Sequence, residues 1–201
     1  MNLYVRQPAA TTQAAEGLPR RAWTVVEIED MVRAGFIAEN ERFELIGGEI
    51  VPMAAKGAFH ENVKRALTRH WIKALPSEVE ALTETTLRTG ERDFREPDFV
   101  FWPGSISVAD MKPAHVQLIV EISDSSLDYD LGRKAAHYAS LGLADYWVVD
   151  AKRLVTRIHR APAGDTYASV TEHASGEMLT PLALPVLAVR LTDLGLMPVA
   201  E

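Results

Sequence analysis

The run Val116-Gln117-Leu118-Ile119-Val120-Glu121-Ile122 is the most apolar strand-like stretch of the chain. A run this apolar reads as the central strand of a sheet, with other layers covering it. A helical pattern follows from Asp128 to Leu141. It places Leu131, Ala135, Tyr138 and Leu141 on one side, and Gly142 closes it. A second apolar strand, Tyr146 to Val149, comes next. Strand, helix and strand in this order read as one crossover unit.

The rest of the pattern is built around that unit. Thr24 with Glu27 three residues later is a capping box, and Val25, Ile28, Met31 and Val32 supply a helical stripe that Gly35 ends. Phe43 to Ile46, Gly47-Gly48 and Glu49 to Met53 read as a β-hairpin, because a two-glycine loop suits a primed turn with positive φ. Ala58 to Leu75 is helical, with Val63, Ala66, Leu67, His70, Trp71 and Ala74 on one face and Pro76 as its stop. Val79 to Leu87, Phe94 to Trp102 and Leu154 to His159 read as strands. The C-terminal part is irregular with short strand pieces. Residues 1–20 read as a flexible N-terminal tail, and residues 21–201 as a single domain. The fold class is α/β (α+β): one mixed β-sheet flanked by helices, with an N-terminal helix and hairpin.

Composition narrows the chemistry. The 201 residues include no cysteine, which excludes disulfides, thiolate zinc sites, cysteine nucleophiles and iron–sulfur clusters. No apolar run approaches the roughly 18 residues of a membrane span, so no membrane partner is expected. The first 20 residues carry no secretory apolar region, and a cytoplasmic location is the expectation. The net charge of -7 speaks against a simple nucleic-acid coat. It is unevenly spread, however. Residues 76–130 hold 12 acids against 4 bases, while residues 58–75 hold 4 bases against 1 acid and residues 131–160 hold 6 against 2.

Two acids stand where acids are rare. Asp98 follows Pro97 and precedes the apolar Phe99-Val100-Phe101, and Glu121 sits inside Leu118 to Ile122. Acids in such strands are usually paired or bind a metal. Glu121 alternates with Ile119 and Ser123 on one strand face. Two carboxylates on adjacent strands facing the same way form a hard oxygen site for Mg²⁺ or Mn²⁺. The plainer alternative is a pair of solvated strand-end acids. Asp130 and Lys134 lie four apart on one helical face, and Lys134 can reach back to the strand end. There a lysine beside a metal can orient a water or stabilise a phosphorane, unless the pair is only a surface ion pair. Asp128 is the simplest N-cap. Glu44 is either an extra ligand or a solvent-facing edge residue. His60 either contacts phosphate or water, or has no role. His60-Glu61 lacks the second histidine of a zinc protease motif, and no P-loop, GxSxG or GxGxxG is present.

Together these segments resemble a known family. The runs are Phe43-Glu44-Leu45-Ile46-Gly47-Gly48-Glu49-Ile50, Glu96-Pro97-Asp98-Phe99-Val100-Phe101 and Ile119-Val120-Glu121-Ile122-Ser123. Tyr129-Asp130-Leu131-Gly132-Arg133-Lys134, Tyr138 and Ala144-Asp145-Tyr146-Trp147-Val148-Val149-Asp150 complete the pattern. In this order they resemble the bacterial Uma-type family of restriction-endonuclease-like proteins, a branch of the PD-(D/E)XK nuclease superfamily, over residues 24–195. The resemblance implies a restriction-endonuclease-like core with a divalent metal at the strand ends. It puts Asp98 and Glu121 in the places of the motif acids and Glu44 in that of an extra acid. His60 matches a frequent histidine near the first long helix. The usual lysine two positions after the second acid is absent, because Ser123 stands there, and the resemblance transfers its role to Lys134. Ser123-Asp124 also replaces the familiar Ser-Pro.

The resulting expectation is a Mg²⁺- or Mn²⁺-dependent endonuclease that hydrolyses DNA phosphodiester bonds. Asp98, Glu121 and Lys134 would be catalytic, with Asp98, Glu121 and Glu44 on the metal. His60, Asp130 and Ser123 would give support, and Lys64, Arg65, Arg69 and Arg133 would face DNA. A homodimer suits the cutting of two strands. The rival reading is a catalytically inactive nuclease-fold protein acting as a nucleic-acid-binding or assembly module, which the absent lysine at 123 favours. An acid–base enzyme on a small molecule fits the paired carboxylates but leaves Lys134 unexplained.

Overall fold

The computed structural model describes residues 11–13 and 19–199; the rest of the segment read as a tail lies outside the described residues. In chain order the elements are β1 (Thr11–Gln13), β2 (Pro19–Arg21), α1 (Val25–Arg33), β3 (Phe43–Ile46), β4 (Glu49–Pro52) and α2 (Ala58–Ala74). Then come β5 (Val79–Leu82), β6 (Leu87–Gly90), β7 (Asp93–Arg95), β8 (Phe99–Pro103) and β9 (Leu118–Ser123). A helical stretch over 127–140 leads to β10 (Asp145–Asp150), β11 (Thr156–Ala163) and β12 (Thr166–His173). The described residues group into two compact units, one of residues up to 54 with 88–95, the other of 55–87 with 96 onward.

In the first unit β1 and β2 pair antiparallel, so six residues of the expected tail segment and its edge form a ladder. The Thr24–Glu27 capping box forms at the start of α1 as its spacing predicts. Gly47 and Gly48 take φ of +59° and +86°, the double positive φ that a primed hairpin turn demands. The hairpin does not join the main sheet. It belongs to a separate four-stranded sheet in the order β4-β3-β7-β6. Val25, Ile28, Phe43, Leu45 and Phe94 form the small core of this unit.

The second unit is built on a six-stranded mixed sheet, order β12-β11-β10-β9-β8-β5, in which β9 and β10 run parallel and the other pairs antiparallel. Every residue of β9 is buried, because both faces are covered. Phe99, Phe101, Leu118, Val120 and Ile122 face one way and pack on Val63, Ala66, Leu67 and Trp71 of α2. The Trp71 ring meets Phe99 and Phe101 edge-on, with centroids 5.0 and 5.2 Å apart. Val100, Trp102, Ile119, Tyr146 and Val148 face the other way, against Ala135, Tyr138 and Leu143. The central strand, its crossover helix and the parallel partner are thus as the sequence pattern requires.

Three stretches differ from their sequence pattern for local reasons. Val79 to Leu87 is two strands in two sheets, because Glu84 between them adopts φ +53° and turns the chain. Phe94 to Trp102 breaks at Glu96-Pro97-Asp98, where proline has no N–H for a ladder. The segment after Leu154 is a long hairpin, β11–β12, rather than one short strand. Its outer strand is largely exposed, which removes the apolar alternation that marks a strand.

Candidate active site

All the residues that surround Asp98 and Glu121 below belong to the second unit. Asp98 lies in the bend between Pro97 and β8, one residue before the Phe99–Val120 pair of β8 and β9. Its side chain is 5% exposed. Oδ2 accepts the backbone N–H of Ile122 at 2.8 Å, which ties Asp98 to the residue after Glu121. Oδ1 pairs with His60 Nε2 at 2.9 Å and accepts from Lys56 Nζ at 2.5 Å. Burial alone would raise the Asp98 carboxyl. The His60 hydrogen bond and the Lys56 charge outweigh it and hold the pKa below the ordinary 3.8.

His60 reaches Asp98 because it lies in the first turn of α2. That helix begins on Gly57, where a Cβ would stand 2.2 Å from Asp124 Oδ2, so a larger residue there would have to push the Asp124 carboxylate aside. A carboxylate at a helix N-terminus is favourably placed against the helix dipole. Lys56, just before the helix, also contacts Glu84 Oε1 at 2.5 Å, and Lys64 contacts Glu84 Oε2 at 2.7 Å. Glu84 and Asp98 together hold the Lys56 ammonium, and they raise its pKa against the lowering effect of burial.

Glu121 lies on the face of β9 that it shares with Ile119, toward the 127–140 helix. Lys134 Nζ lies 3.0 Å from Glu121 Oε1, and the Tyr138 hydroxyl donates to the same oxygen at 3.3 Å. Lys134 also lies 3.5 Å from Asp130 Oδ1. Asp130 in turn accepts the Ser123 and Ser126 hydroxyls at 2.5 and 2.6 Å. The pair Asp130–Lys134 is therefore a buried ion pair, not a surface one: the two side chains are 4% and 6% exposed. The helix is irregular at this point. After an α turn, Leu127–Tyr129, it widens into a π turn over Asp130–Lys134 and resumes as α at Ala135–Ser140. Single π turns inside helices commonly mark functional positions. Ser126, not Asp128, holds the N-cap position of this stretch, and its hydroxyl goes to Asp130 rather than to the helix backbone.

The remaining expected residues are placed as follows. Glu44 is in the first unit and is buried, 4.0 Å from Arg95 Nε, so the solvent-facing edge alternative does not hold. Arg65 and Arg69 are exposed on α2, and Arg133 is exposed on the 127–140 helix. Lys64 is instead partly buried against Glu84. Among the described residues no three His, Cys, Asp or Glu side chains are grouped so as to hold a metal ion. Asp98 and Glu121 nevertheless have the hard oxygen chemistry that Mg²⁺ and Mn²⁺ take, and each is already countered by an ammonium. Sequence reasoning missed Lys56 and Glu84. Neither belongs to an apolar period, and only the approach of the 83–86 turn to α2 gives them meaning.

A three-layer unit of this topology, with acids at neighbouring strand ends, has a nuclease fold. It matches the crystal structure of a protein described as "a putative nuclease belonging to DUF820" from Anabaena variabilis ATCC 29413. The TM-score is 0.65 at 14% identity, over 85% of this chain and 96% of that one. Over residues 27–192 the sequence matches the family described as "Uma2: Putative restriction endonuclease", and the chain belongs to that family. No curated protein shows significant sequence similarity to it. Among the described residues no helix is long and apolar enough to cross a membrane.

Proposed function

We propose that this protein is a Mg²⁺- or Mn²⁺-dependent endonuclease that hydrolyses DNA phosphodiester bonds in the cytoplasm. The observation that supports it most is the contact of Lys134 with Glu121 at 3.0 Å. Ser123 occupies the strand position where the superfamily motif places its lysine, and Lys134 brings an ammonium to the same acid from the next helix. Asp98 and Glu121 would hold the divalent ion. When bound, that ion supplies Lewis acidity and neutralises charge at the scissile phosphate.

The chain's own residues do the rest. Lys134 orients the attacking water and offers N–H donors to the charge that grows on the phosphate oxygens. Asp130, held by the Ser123 and Ser126 hydroxyls, keeps the Lys134 ammonium in place. His60 fixes the orientation of the Asp98 carboxylate through its 2.9 Å contact. The exposed Arg65, Arg69 and Arg133 give the DNA backbone its cationic contacts. The test is metal-dependent cleavage of plasmid DNA by the wild type against Asp98→Ala.

One observation favours the rival, a catalytically inactive nuclease-fold protein that binds nucleic acid or assembles with partners. The Ser123 hydroxyl is committed to Asp130, and lysines already compensate both acids. Absence of cleavage together with absence of Mn²⁺ binding would select that reading.

A further inference from the structure

The charge around Asp98 is balanced from within the chain. Lys56 Nζ lies 2.5 Å from Asp98 Oδ1 and 2.5 Å from Glu84 Oε1. The other contacts of Asp98 are the Ile122 N–H at 2.8 Å and His60 Nε2 at 2.9 Å. A cation that comes to Oδ1 must replace Lys56 or His60, which already take both lone pairs of that oxygen. The Ile122 N–H is fixed by β9, and His60 is buried in the first turn of α2. Lys56 differs from both. It lies in the segment 53–57, outside helix and strand, on a flexible four-carbon stem. It also has a second carboxylate at contact distance.

That carboxylate is held deliberately. Glu84 stands at φ +53°, a left-handed conformation that is costly for a residue with a side chain. Its N–H donates to the Pro97 carbonyl at 3.0 Å, which anchors the 83–86 turn beside Asp98. Lys64, at 2.7 Å, steadies the far oxygen of the same carboxylate.

We propose that Lys56 is a built-in counter-cation of the metal site. Its ammonium takes the place at Asp98 Oδ1 that a divalent ion takes on loading, and Glu84 retains it once displaced. This rests on the reading of Asp98 as a metal ligand. Two cations cannot share one buried carboxylate oxygen without strong repulsion, so metal and Lys56 compete. The metal-free site stays neutral and folded, and metal affinity is lowered by the work of moving Lys56.

The experiment is Mn²⁺ binding, by titration calorimetry and by electron paramagnetic resonance of the free ion, to four proteins: the wild type, Lys56→Met, Lys64→Met and Lys56→Gln. Lys56→Met should bind Mn²⁺ about tenfold more tightly than the wild type, a common size for coupling between two sites. Lys64→Met removes an equal charge that does not touch Asp98, and should shift affinity by no more than about twofold. Lys56→Met should fold, because Asp98 keeps His60 and the Ile122 N–H; Lys56→Gln, which keeps a donor, serves if it does not. Mn²⁺ binding by Lys56→Met alone, with none by the wild type, also supports the proposal. Equal or weaker binding by the Lys56 variants, with clear binding by the wild type, overturns it and leaves the metal site standing. No binding by any of the four overturns both.

Discussion

Replacing Lys134 by methionine keeps a stem of four heavy atoms and removes the ammonium, with its charge and its three donors. In the wild type the ammonium lies 3.0 Å from Glu121 and 3.5 Å from Asp130, with the three side chains 4–6% exposed. Removing one partner of a buried ion pair costs about 3–5 kcal/mol, because the other charge is left uncompensated. Glu121 keeps the Tyr138 hydroxyl, and Asp130 keeps two serine hydroxyls. These hydrogen bonds place the cost at the lower end, about 3 kcal/mol. For a chain of this size that is a fall in melting temperature of roughly 6–12 °C. The assay is urea denaturation followed by circular dichroism, at pH 7, with Glu121→Gln/Lys134→Met as the companion variant. The double variant removes both charges and should regain most of the loss, yet should not cleave DNA. A single variant within about 0.5 kcal/mol of the wild type, or a double variant no more stable than the single, would refute the buried-pair reasoning.

The remaining predictions concern pH and the motif position. Folding depresses the carboxyl of Asp98 below 3.8, and burial depresses the imidazole of His159 below 6.5. Each therefore adds stability that is complete above its unfolded value and lost as pH falls through its folded value. Denaturation free energy should fall in two stages, first below about pH 6.5 and again in the carboxyl range at about pH 4; His159→Gln should remove the first stage and Asp98→Asn should shrink the second, to which the depressed Glu27 carboxyl also contributes. A rise in stability from pH 7 to pH 5 would contradict this. Ser123→Lys recreates the lysine spacing of the superfamily motif, but Ser123 is 1% exposed and its hydroxyl is 2.5 Å from Asp130. Overpacking there should cost about 1–3 kcal/mol by urea denaturation, and plasmid cleavage should not rise.

How much of this was legible depends on the kind of signal. The strand Leu118–Ser123 and the helix face of Val63, Leu67 and Trp71 follow from apolar period, because burial on a sheet or helix leaves that imprint. Asp98 and Glu121 stand out for the opposite reason: an acid inside an apolar run is costly unless something answers it. What answers them is less visible. Lys134 is found by its spacing from Asp130, but the π turn that widens the helix there leaves no trace in a 3.6-residue period. Lys56, Lys64 and Glu84 sit in polar surroundings, and their role exists only once the 83–86 turn, α2 and β8 have come together. The hairpin β11–β12 was obscured because its outer strand is exposed and carries little alternation.

Cleavage by purified protein is the most direct test of a metal-dependent nuclease site at Asp98. Supercoiled plasmid incubated with the wild type in Mg²⁺ or Mn²⁺ should be nicked or linearised, and a chelator should stop it. Asp98→Ala should melt as a folded protein and leave the plasmid intact. Cleavage by Asp98→Ala at the wild-type rate would contradict a catalytic role for Asp98.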